Sequence, residues 1–131
     1  MIVVDSSALL AVLLKEPENQ TCQDVIAAAD RCVISAVNAH ETATVLRLRH
    51  GRAAVERFWE ILADNEIEVF PFDLSQVRAA AIAFDRYGKG IDPKARLNLS
   101  DCAAYAPAKT LNAPLLFKGD DFAETDVQLA T

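Results

Sequence analysis

Short apolar segments with strand character alternate with amphipathic segments of helical character along the whole chain. The segments that predict β-strands lie at residues 2–5, 32–35, 67–70 and 114–117, and residues 127–129 are a candidate fifth strand. Strands that alternate with helices in this way form a mostly parallel sheet, which helices cover on both faces. The sequence therefore predicts an α/β protein with a central, mostly parallel sheet of four to five strands.

Start and stop signals between the strands predict six helices, over residues 7–14, 17–29, 38–49, 52–65, 73–88 and 98–111. We expect Ser6 or Ser7 to cap the first helix. The stretch from Asp73 to Gln76 has the pattern of a capping box at the start of the fifth helix. The longest linker, residues 88–97, contains two glycines and a proline and is expected to be a loop.

The chain length of 131 residues suits a single domain over residues 1–131. Its 52% apolar and 24% charged residues are typical of a globular protein. The longest apolar run, residues 8–14, is too short for a membrane span, and no basic segment precedes the first strand, so we expect neither a membrane segment nor a signal peptide. The scattered Cys22, Cys32 and Cys102 form no CxxC pair, which favours a reducing cytoplasm.

Acidic residues occur at the ends of the predicted elements or on their apolar faces. Asp5 follows the first strand, and Asp120 and Asp121 follow the fourth. In open α/β sheets, ligands bind at the edge formed by the carboxyl ends of the strands. Glu41 lies in the third predicted helix and Asp101 in the first turn of the sixth. Carboxylates that converge on one edge repel one another unless a cation lies among them, so the pattern predicts a magnesium site.

Each acid also has an ordinary structural explanation. Asp5 is a candidate N-cap, although the two serines after it would serve equally well. Asp101 would complement the dipole of its helix, and Asp residues are common in turns such as 119–122. Glu41 interrupts an apolar stripe predicted from Val37, Val45 and Leu48, where a carboxylate requires solvent, a salt bridge or a metal.

Several other chemistries lack their motifs. His40 and Glu41 would begin the HExxH motif of zinc proteases, but residue 44 is a threonine. The chain has no glycine-rich phosphate loop and no GxSxG nucleophile motif. Nucleotide binding through such a loop and nucleophilic serine catalysis are therefore not expected.

The formal net charge of −6 argues against nonspecific binding of nucleic acid, because phosphate contacts need Lys and Arg. The basic residues are clustered, however. One cluster, near the end of the third helix, contains Arg47, Arg49, His50 and Arg52, and the other, around the linker, contains Arg86, Lys89, Lys94 and Arg96. Basic residues at helix ends are commonplace, so the cluster in the linker is the stronger candidate for binding a nucleic acid.

Taken in order, the motifs resemble those of a known family. They are Asp5-Ser6-Ser7 after the first strand, Glu41 in the third helix, the segment Leu99–Tyr105 and the segment Leu115–Phe122. The chain resembles the PIN domain, specifically the VapC toxins of bacterial toxin–antitoxin pairs, over its whole length. This resemblance implies a three-layer α/β/α sandwich and a ribonuclease with an acidic Mg²⁺ or Mn²⁺ site.

The resemblance also implies roles for individual residues. Asp5, Glu41 and Asp101 match the three core acids of the family, with Asp5 and Asp101 holding the metal directly and Glu41 acting on a water. Ser7 matches a small hydroxyl residue that often lies beside the metal.

The fourth acid is less well matched, because many relatives have it where this chain has Gly119. Asp120 or Asp121 must then take its place, and Asp120 is preferred. Pro107 is a second departure, because an aliphatic residue is more usual there and a proline inside a helix removes one hydrogen bond.

The implied function is metal-dependent cleavage of a structured RNA, such as tRNA or rRNA, by an activated water. Arg86 and Lys89 are expected to bind its backbone. The implied partners are a cognate VapB-like antitoxin, a second copy of the chain and a higher toxin–antitoxin complex. Such antitoxins often insert an Arg or another side chain into the acidic pocket. Apolar residues on the first helices exceed what one short helix needs and would serve such contacts, although core packing would also explain them: Leu9, Leu10, Leu13 and Leu14.

Three other classes of protein share parts of this pattern. A haloacid-dehalogenase-type phosphatase needs a second Asp two residues after the first, where this chain has Ser7. A receiver domain has a Lys after a late strand, which Lys118 could mimic, but it also needs an Asp after the third strand, and Asp73 fits better as a helix cap. A PIN-like scaffold that binds RNA or protein without cutting is the alternative outside the enzymes.

Overall fold

The computed structural model describes all 131 residues and contains one four-stranded, entirely parallel sheet. Its strands are β1 (Ile2–Val4), β2 (Cys32–Ser35), β3 (Ile67–Phe70) and β4 (Leu115–Leu116), in the order β3-β2-β1-β4. The candidate fifth strand is reduced to a single parallel bridge between Leu129 and Leu115. The predicted fold class is confirmed, with the lower of the two expected strand numbers.

Six helices connect and cover the strands: α1 (Ser6–Leu13), α2 (Asn19–Ala28), α3 (Ala36–His50), α4 (Arg52–Asp64), α5 (Leu74–Tyr87) and α6 (Leu99–Thr110). All six were predicted, with ends that differ by one or two residues, as is usual for helix boundaries. None of the six combines the length and the apolar character that a membrane crossing requires.

Alternating residues of the strands point to opposite faces of the sheet and bury two separate cores. Ile2, Val4 and Ile34 lie in a core formed with α1 to α4, whereas Val3 and Val33 lie in a core formed with α5 and α6. Helices therefore cover both faces of the central strands, so side chains that bind a ligand can lie only at the ends of the strands. This is the three-layer α/β/α sandwich.

Helix α6 packs centrally, as its run of small residues predicts. Residues 101–108 are all buried, and Pro107 is accommodated inside the helix. This burial fixes the body of α6 against the sheet, and Asp101 lies at the start of the buried segment.

Two predicted caps are wrong in detail. Helix α1 is capped by Asp5, whose carboxylate accepts a hydrogen bond from the backbone N–H of Ser7, and neither serine is the cap. At α5, Asp73 does accept from the N–H of Gln76, but the Gln76 side chain donates to Thr110 instead of completing a capping box. Burial of Gln76 against α6 explains the difference, because a buried amide needs a partner there.

The apolar stripe predicted for α3 is also wrong. Leu48 is 81% exposed, and the buried positions of this helix are Asn38, Ala39, Thr42 and Leu46. The face of α3 that meets the core is thus rotated relative to the prediction, because the neighbouring elements, not the helix's own apolar residues, determine its orientation. Glu41 consequently lies beside the buried face and is partly exposed.

The leucines of α1 do not form a surplus apolar surface. Leu9 and Leu13 are buried in the core, and Leu10 and Leu14 pack against it, so the structure supports core packing as their explanation. The exposed apolar surface of the molecule includes α5 and the start of α6, where these large side chains are 40% or more exposed: Leu74, Val77, Phe84 and Leu99.

The linker between α5 and α6, residues 88–97, is an ordered loop that we call the basic loop. Its ends are joined by a parallel bridge between Gly88 and Leu97, and the N–H of Leu97 donates to the carbonyl of Tyr87 at 2.8 Å. Leu97 is fully buried. A Cβ on Gly88 would lie 2.4 Å from the ring of Phe84, so only glycine fits where the loop begins. The base of the loop is therefore fixed, and the cations between its ends project from a rigid anchor.

Candidate active site

The predicted acids come together at the carboxyl edge of the sheet. Asp5 directly follows β1, Glu41 lies in the second turn of α3, and Asp101 lies in the first turn of α6. The charges of Glu41 and Asp101 both raise the pKa of Asp5, and the charge of Glu41 also raises the pKa of Asp101. Three residues separated by up to 96 positions in the sequence thus form one electrostatic cluster.

Asp5 is buried and only half satisfied by the protein. Its Oδ2 accepts two hydrogen bonds from Ser7, one from the backbone N–H at 3.1 Å and one from the hydroxyl at 2.6 Å. Its Oδ1 accepts none from the protein. Burial raises the pKa of Asp5 to about 6, against the lowering effect of the Ser7 hydrogen bonds. The carboxylate is therefore held in one orientation with one oxygen left for another ligand.

The Ser7 hydroxyl fixes this orientation because Asp5 is the acceptor available for its single proton. The backbone N–H of Lys118, which can only donate, donates to Ser7 Oγ at 2.9 Å. Ser7 must therefore donate its single proton to Asp5. The predicted neighbour of the metal thus contacts the acid and ties it to the segment after β4.

Asn98 and Asp101 form a capping box at the start of α6, whereas the sequence predicted one at the start of α5. Asp101 Oδ2 accepts from the backbone N–H of Asn98 at 2.9 Å, while the N–H of Asp101 donates to Asn98 Oδ1 at 2.8 Å. Burial is the main cause that raises the pKa of Asp101 to about 6, and the charges of Asp121 and Glu41 raise it further. As in Asp5, Oδ1 accepts no hydrogen bond from the protein.

Both candidates for the fourth acid are exposed and line a shared surface depression with Asp101. Of the two, Asp121 is the one whose charge raises the pKa of Asp101. The electrostatics therefore favour Asp121 over the predicted Asp120, although both line the depression.

No basic side chain forms a salt bridge with the three acids. The five salt bridges of the protein involve neither Asp5, Glu41 nor Asp101. Lys118, the cation that a receiver domain would direct at its acids, is bound to Glu16 at 2.9 Å and lies 3.6 Å from Glu18. The receiver-domain interpretation therefore loses its key residue.

The donor set suits a hard cation. Carboxylate oxygens are what Mg²⁺ and Mn²⁺ prefer, and Mg²⁺ usually keeps several waters beside one or two carboxylates. No three His, Cys, Asp or Glu side chains are arranged to hold a metal ion between them. The candidate ligands are accordingly the Oδ1 atoms of Asp5 and Asp101, so the protein would supply two ligands and leave the other coordination positions open.

The basic loop lies beside the acids. Lys89, Lys94 and Arg96 line the same depression as Asp101 and the two turn acids. Arg86, the other predicted RNA contact, does not line it. Its charge acts instead on Tyr105, whose pKa it lowers against the larger effect of burial. All three cations of the linker are thus placed where a phosphate backbone at the acids would pass, and Arg86 on α5 is not.

One residue of the site was missed from the sequence. Asn38 is completely buried on α3, one turn before Glu41, and it contacts the segments that carry the other two acids. A polar residue at i−3 from a candidate acid is the signal that was present, but the incorrect apolar stripe concealed it.

The chain matches the model of the PIN domain over residues 2–128. It is 36% identical over 130 residues to ribonuclease VapC42 of Mycobacterium tuberculosis, with 98% of each chain covered. Among solved structures it is similar to Mycobacterium tuberculosis VapC20, described as a sarcin-ricin loop cleaving toxin, with a TM-score of 0.78, 18% identity and coverage of 97% of this chain and 96% of the other. A toxin–antitoxin complex from Klebsiella pneumoniae contains a chain that matches with a TM-score of 0.73, 16% identity and coverage of 96% and 93%.

Proposed function

We propose that this chain, which belongs to the PIN-domain family of VapC ribonucleases, is a metal-dependent endoribonuclease and the toxin of a toxin–antitoxin pair. The observation that carries the metal dependence is the pair of buried carboxylates, Asp5 and Asp101, each with a raised pKa, a free Oδ1 and no basic partner. A site that keeps two such acids together is costly unless a cation binds there.

Asp5 and Asp101 would hold Mg²⁺ or Mn²⁺ through their Oδ1 atoms. When bound, such an ion stabilises negative charge on the phosphate and lowers the pKa of a water. Ser7 and Asn98 keep the two carboxylates from rotating, because each occupies the opposite oxygen of its acid. Glu41 has no salt-bridge partner and can accept a hydrogen bond from the attacking water and orient it. Asp121 is our choice for the fourth acid, beside Asp101.

The reaction is hydrolysis of a phosphodiester. The water oxygen bonds to phosphorus, the bond from phosphorus to the 3′-oxygen breaks, and the leaving oxygen takes up a proton. The products are a 5′-phosphate and a 3′-hydroxyl. This attack needs no 2′-hydroxyl, so a preference for RNA must come from its shape or its single-stranded loops.

The basic loop is the proposed contact for the RNA backbone. Lys89, Lys94 and Arg96 supply positive charge next to the acids in a chain whose net charge is negative. Such clustering directs phosphates to one place on an otherwise repelling surface. A structured RNA, tRNA or rRNA, is the proposed substrate class, supported by the similar fold of a toxin described as cleaving the sarcin-ricin loop.

The proposed protein partners are an antitoxin and a second copy of the chain. An antitoxin is supported by the similar fold of a chain in a toxin–antitoxin complex, and an Arg of such a partner would supply the cation that the acids lack. The second copy would cover an apolar groove between α3, α5 and α6. All nine residues that line this groove are uncharged, among them Val37, Val77 and Phe84. Two chains of net charge −6 meet there without opposing like charges.

Cleavage of a total tRNA and rRNA pool with Mg²⁺ or Mn²⁺ tests the activity. The wild-type chain is compared with Asp5→Asn and with the control Asp64→Asn, the same chemical change at an exposed helix end. We expect discrete, metal-dependent fragments from wild type and control but none from Asp5→Asn. Equal cleavage by all three would indicate a contaminating nuclease, and no cleavage by any of them would favour the scaffold alternative.

A further inference from the structure

Asn38 makes three hydrogen bonds that join three different segments of the chain. Its backbone carbonyl accepts from the hydroxyls of Ser6, at 3.1 Å, and Thr42, at 2.8 Å. Its side-chain Nδ2 donates to the carbonyl of Ser100 at 3.0 Å. The residue is 0% exposed, so these bonds do not compete with water.

Each of the three partners is the chain neighbour of one acid of the site: Ser6 follows Asp5, Thr42 follows Glu41 and Ser100 precedes Asp101. No acid is contacted directly. The hydrogen bonds of Asn38 therefore act on the backbones that carry the acids, and they link the start of α1 to the start of α6 through α3.

The other end of the amide is unpartnered. The carbonyl of Ser100 can only accept, so the donor Nδ2 must face it, and Oδ1 points away. Asn38 Oδ1 is buried without any hydrogen-bond partner. A buried acceptor without a partner lowers stability, and native proteins keep few of them without a functional reason. An apolar residue of similar volume would avoid this cost but would lose the link to Ser100.

We propose that Asn38 is a positioning residue that sets the separation between Asp5 and Asp101. This inference rests on the proposed function, since it concerns the metal held by those two acids. Without the bond to Ser100, we expect the first turn of α6 to shift relative to β1, which would change the separation of the two carboxylates and weaken their hold on a shared ion. Outer contacts that orient metal ligands typically change metal affinity by about 10–100-fold.

Gln76 provides a matched control. It is also buried, its Nε2 also donates one bond to α6, to Thr110 Oγ1 at 2.8 Å, and its Oε1 is also unpartnered. Thr110 is the last residue of α6, whereas Ser100 lies in its first turn. Asn38→Leu and Gln76→Leu therefore remove equivalent buried amides at opposite ends of one helix, and only one of those ends carries an acid of the site.

The first measurement is the dissociation constant for Mn²⁺, by calorimetry, together with the unfolding midpoint without metal. We expect the two variants to change the midpoint to a similar extent, because each removes one hydrogen bond and one unpartnered buried oxygen. Asn38→Leu should weaken Mn²⁺ binding at least about tenfold, and Gln76→Leu should leave it within about twofold. In RNA cleavage, Asn38→Leu should lower kcat and leave KM nearly unchanged, because the basic loop is untouched. Ser6→Ala, which removes only the bond to the Asn38 carbonyl, should weaken Mn²⁺ binding several-fold even if Asn38→Leu does not fold.

The outcomes separate the two claims. If the wild-type chain neither binds Mn²⁺ nor cleaves RNA, the proposed function is wrong and the role of Asn38 is wrong with it. If the wild type binds and cleaves but neither Asn38→Leu nor Ser6→Ala weakens Mn²⁺ binding more than Gln76→Leu does, Asn38 has only a structural role and the proposed function stands.

Discussion

Two acidic regions of this protein differ in whether a basic side chain pairs with their carboxylates, and Lys118 links both regions. Glu16 and Glu18, after α1, share the ammonium group of Lys118. Asp5, whose hydrogen-bonding partner Ser7 also contacts the backbone of Lys118, has no basic partner and a pKa raised to about 6. Lys118, the lysine nearest in the chain to Asp120 and Asp121, thus pairs with Glu16 and Glu18, and Asp5 and Asp101 have no salt-bridge partner.

This contrast identifies the functional region more clearly than the number of acids does. Exposed carboxylates that pair with lysine occur on most proteins and contribute little. Buried carboxylates without a cation are rare, because their desolvation is costly. If the two regions differ as proposed, the same substitution should have different effects in each.

The largest difference is expected in catalysis. Asp101→Asn keeps an oxygen to accept the N–H of Asn98, so the start of α6 survives while the charge is lost. We expect RNA cleavage to fall by more than about 100-fold, beyond the usual effect of an outer contact. Glu16→Gln, the same change in the compensated region, should leave cleavage within about twofold. Comparable losses in the two variants, measured at matched metal and RNA concentrations, would contradict the contrast.

The second prediction concerns pH and the metal-free protein. The pKa of Asp5 is about 6 in the folded chain and near 3.8 when unfolded, so between these values the folded state holds a proton that the unfolded state has lost. Stability from this group is present below about pH 4 and declines as the pH rises through about 6, by about 3 kcal/mol in total. Urea unfolding from about pH 4 to pH 7 should show this decline in the wild type relative to Asp5→Asn. A constant difference between the two proteins would mean that Asp5 titrates normally.

Metal binding should reverse that loss. Because a ligand that binds only the folded state stabilises it by mass action, Mg²⁺ or Mn²⁺ at about 100 times its dissociation constant adds about 2.7 kcal/mol. For a domain of this size the melting temperature should rise by roughly 5–10 °C. Asp5→Asn should respond far less, and Glu16→Gln should respond like the wild type. An unchanged melting temperature in the wild type at saturating metal would count against a metal site.

The smallest effect is expected in the basic loop. Lys89→Ala and Arg96→Ala should each raise KM several-fold and leave kcat unchanged, because they remove phosphate contacts and not the acids. Each should also reduce the slope of log affinity against log salt by about one. Arg86→Ala, outside the depression, is the internal control. An equal reduction of the salt-dependence slope in Arg86→Ala would indicate that the RNA contact extends onto α5.

The sequence predicted the features that depend on local pattern. Asp5 could be found because a strand ending in an acid is visible in five residues, and the parallel sheet followed from the alternation of its elements. The role of Asn38 could not be found in this way, because it depends on Ser6 and Ser100, which lie 32 and 62 residues away. The exposed Leu48 shows the same limit, since the sequence fixes the spacing of a helix face but not the side from which its neighbours approach.

Because the basic loop is closed by its own ends, it can be exchanged as a unit. Gly88 and Leu97 are bridged to each other, so a longer or differently charged sequence between them would begin and end at the same two points of the sandwich. Doubling the length of such a loop costs only about 0.6 kcal/mol in closure entropy. The proposed RNA-binding loop could therefore vary independently of the proposed catalytic acids, and grafting other loops onto this scaffold would test whether they redirect the protein toward other RNAs.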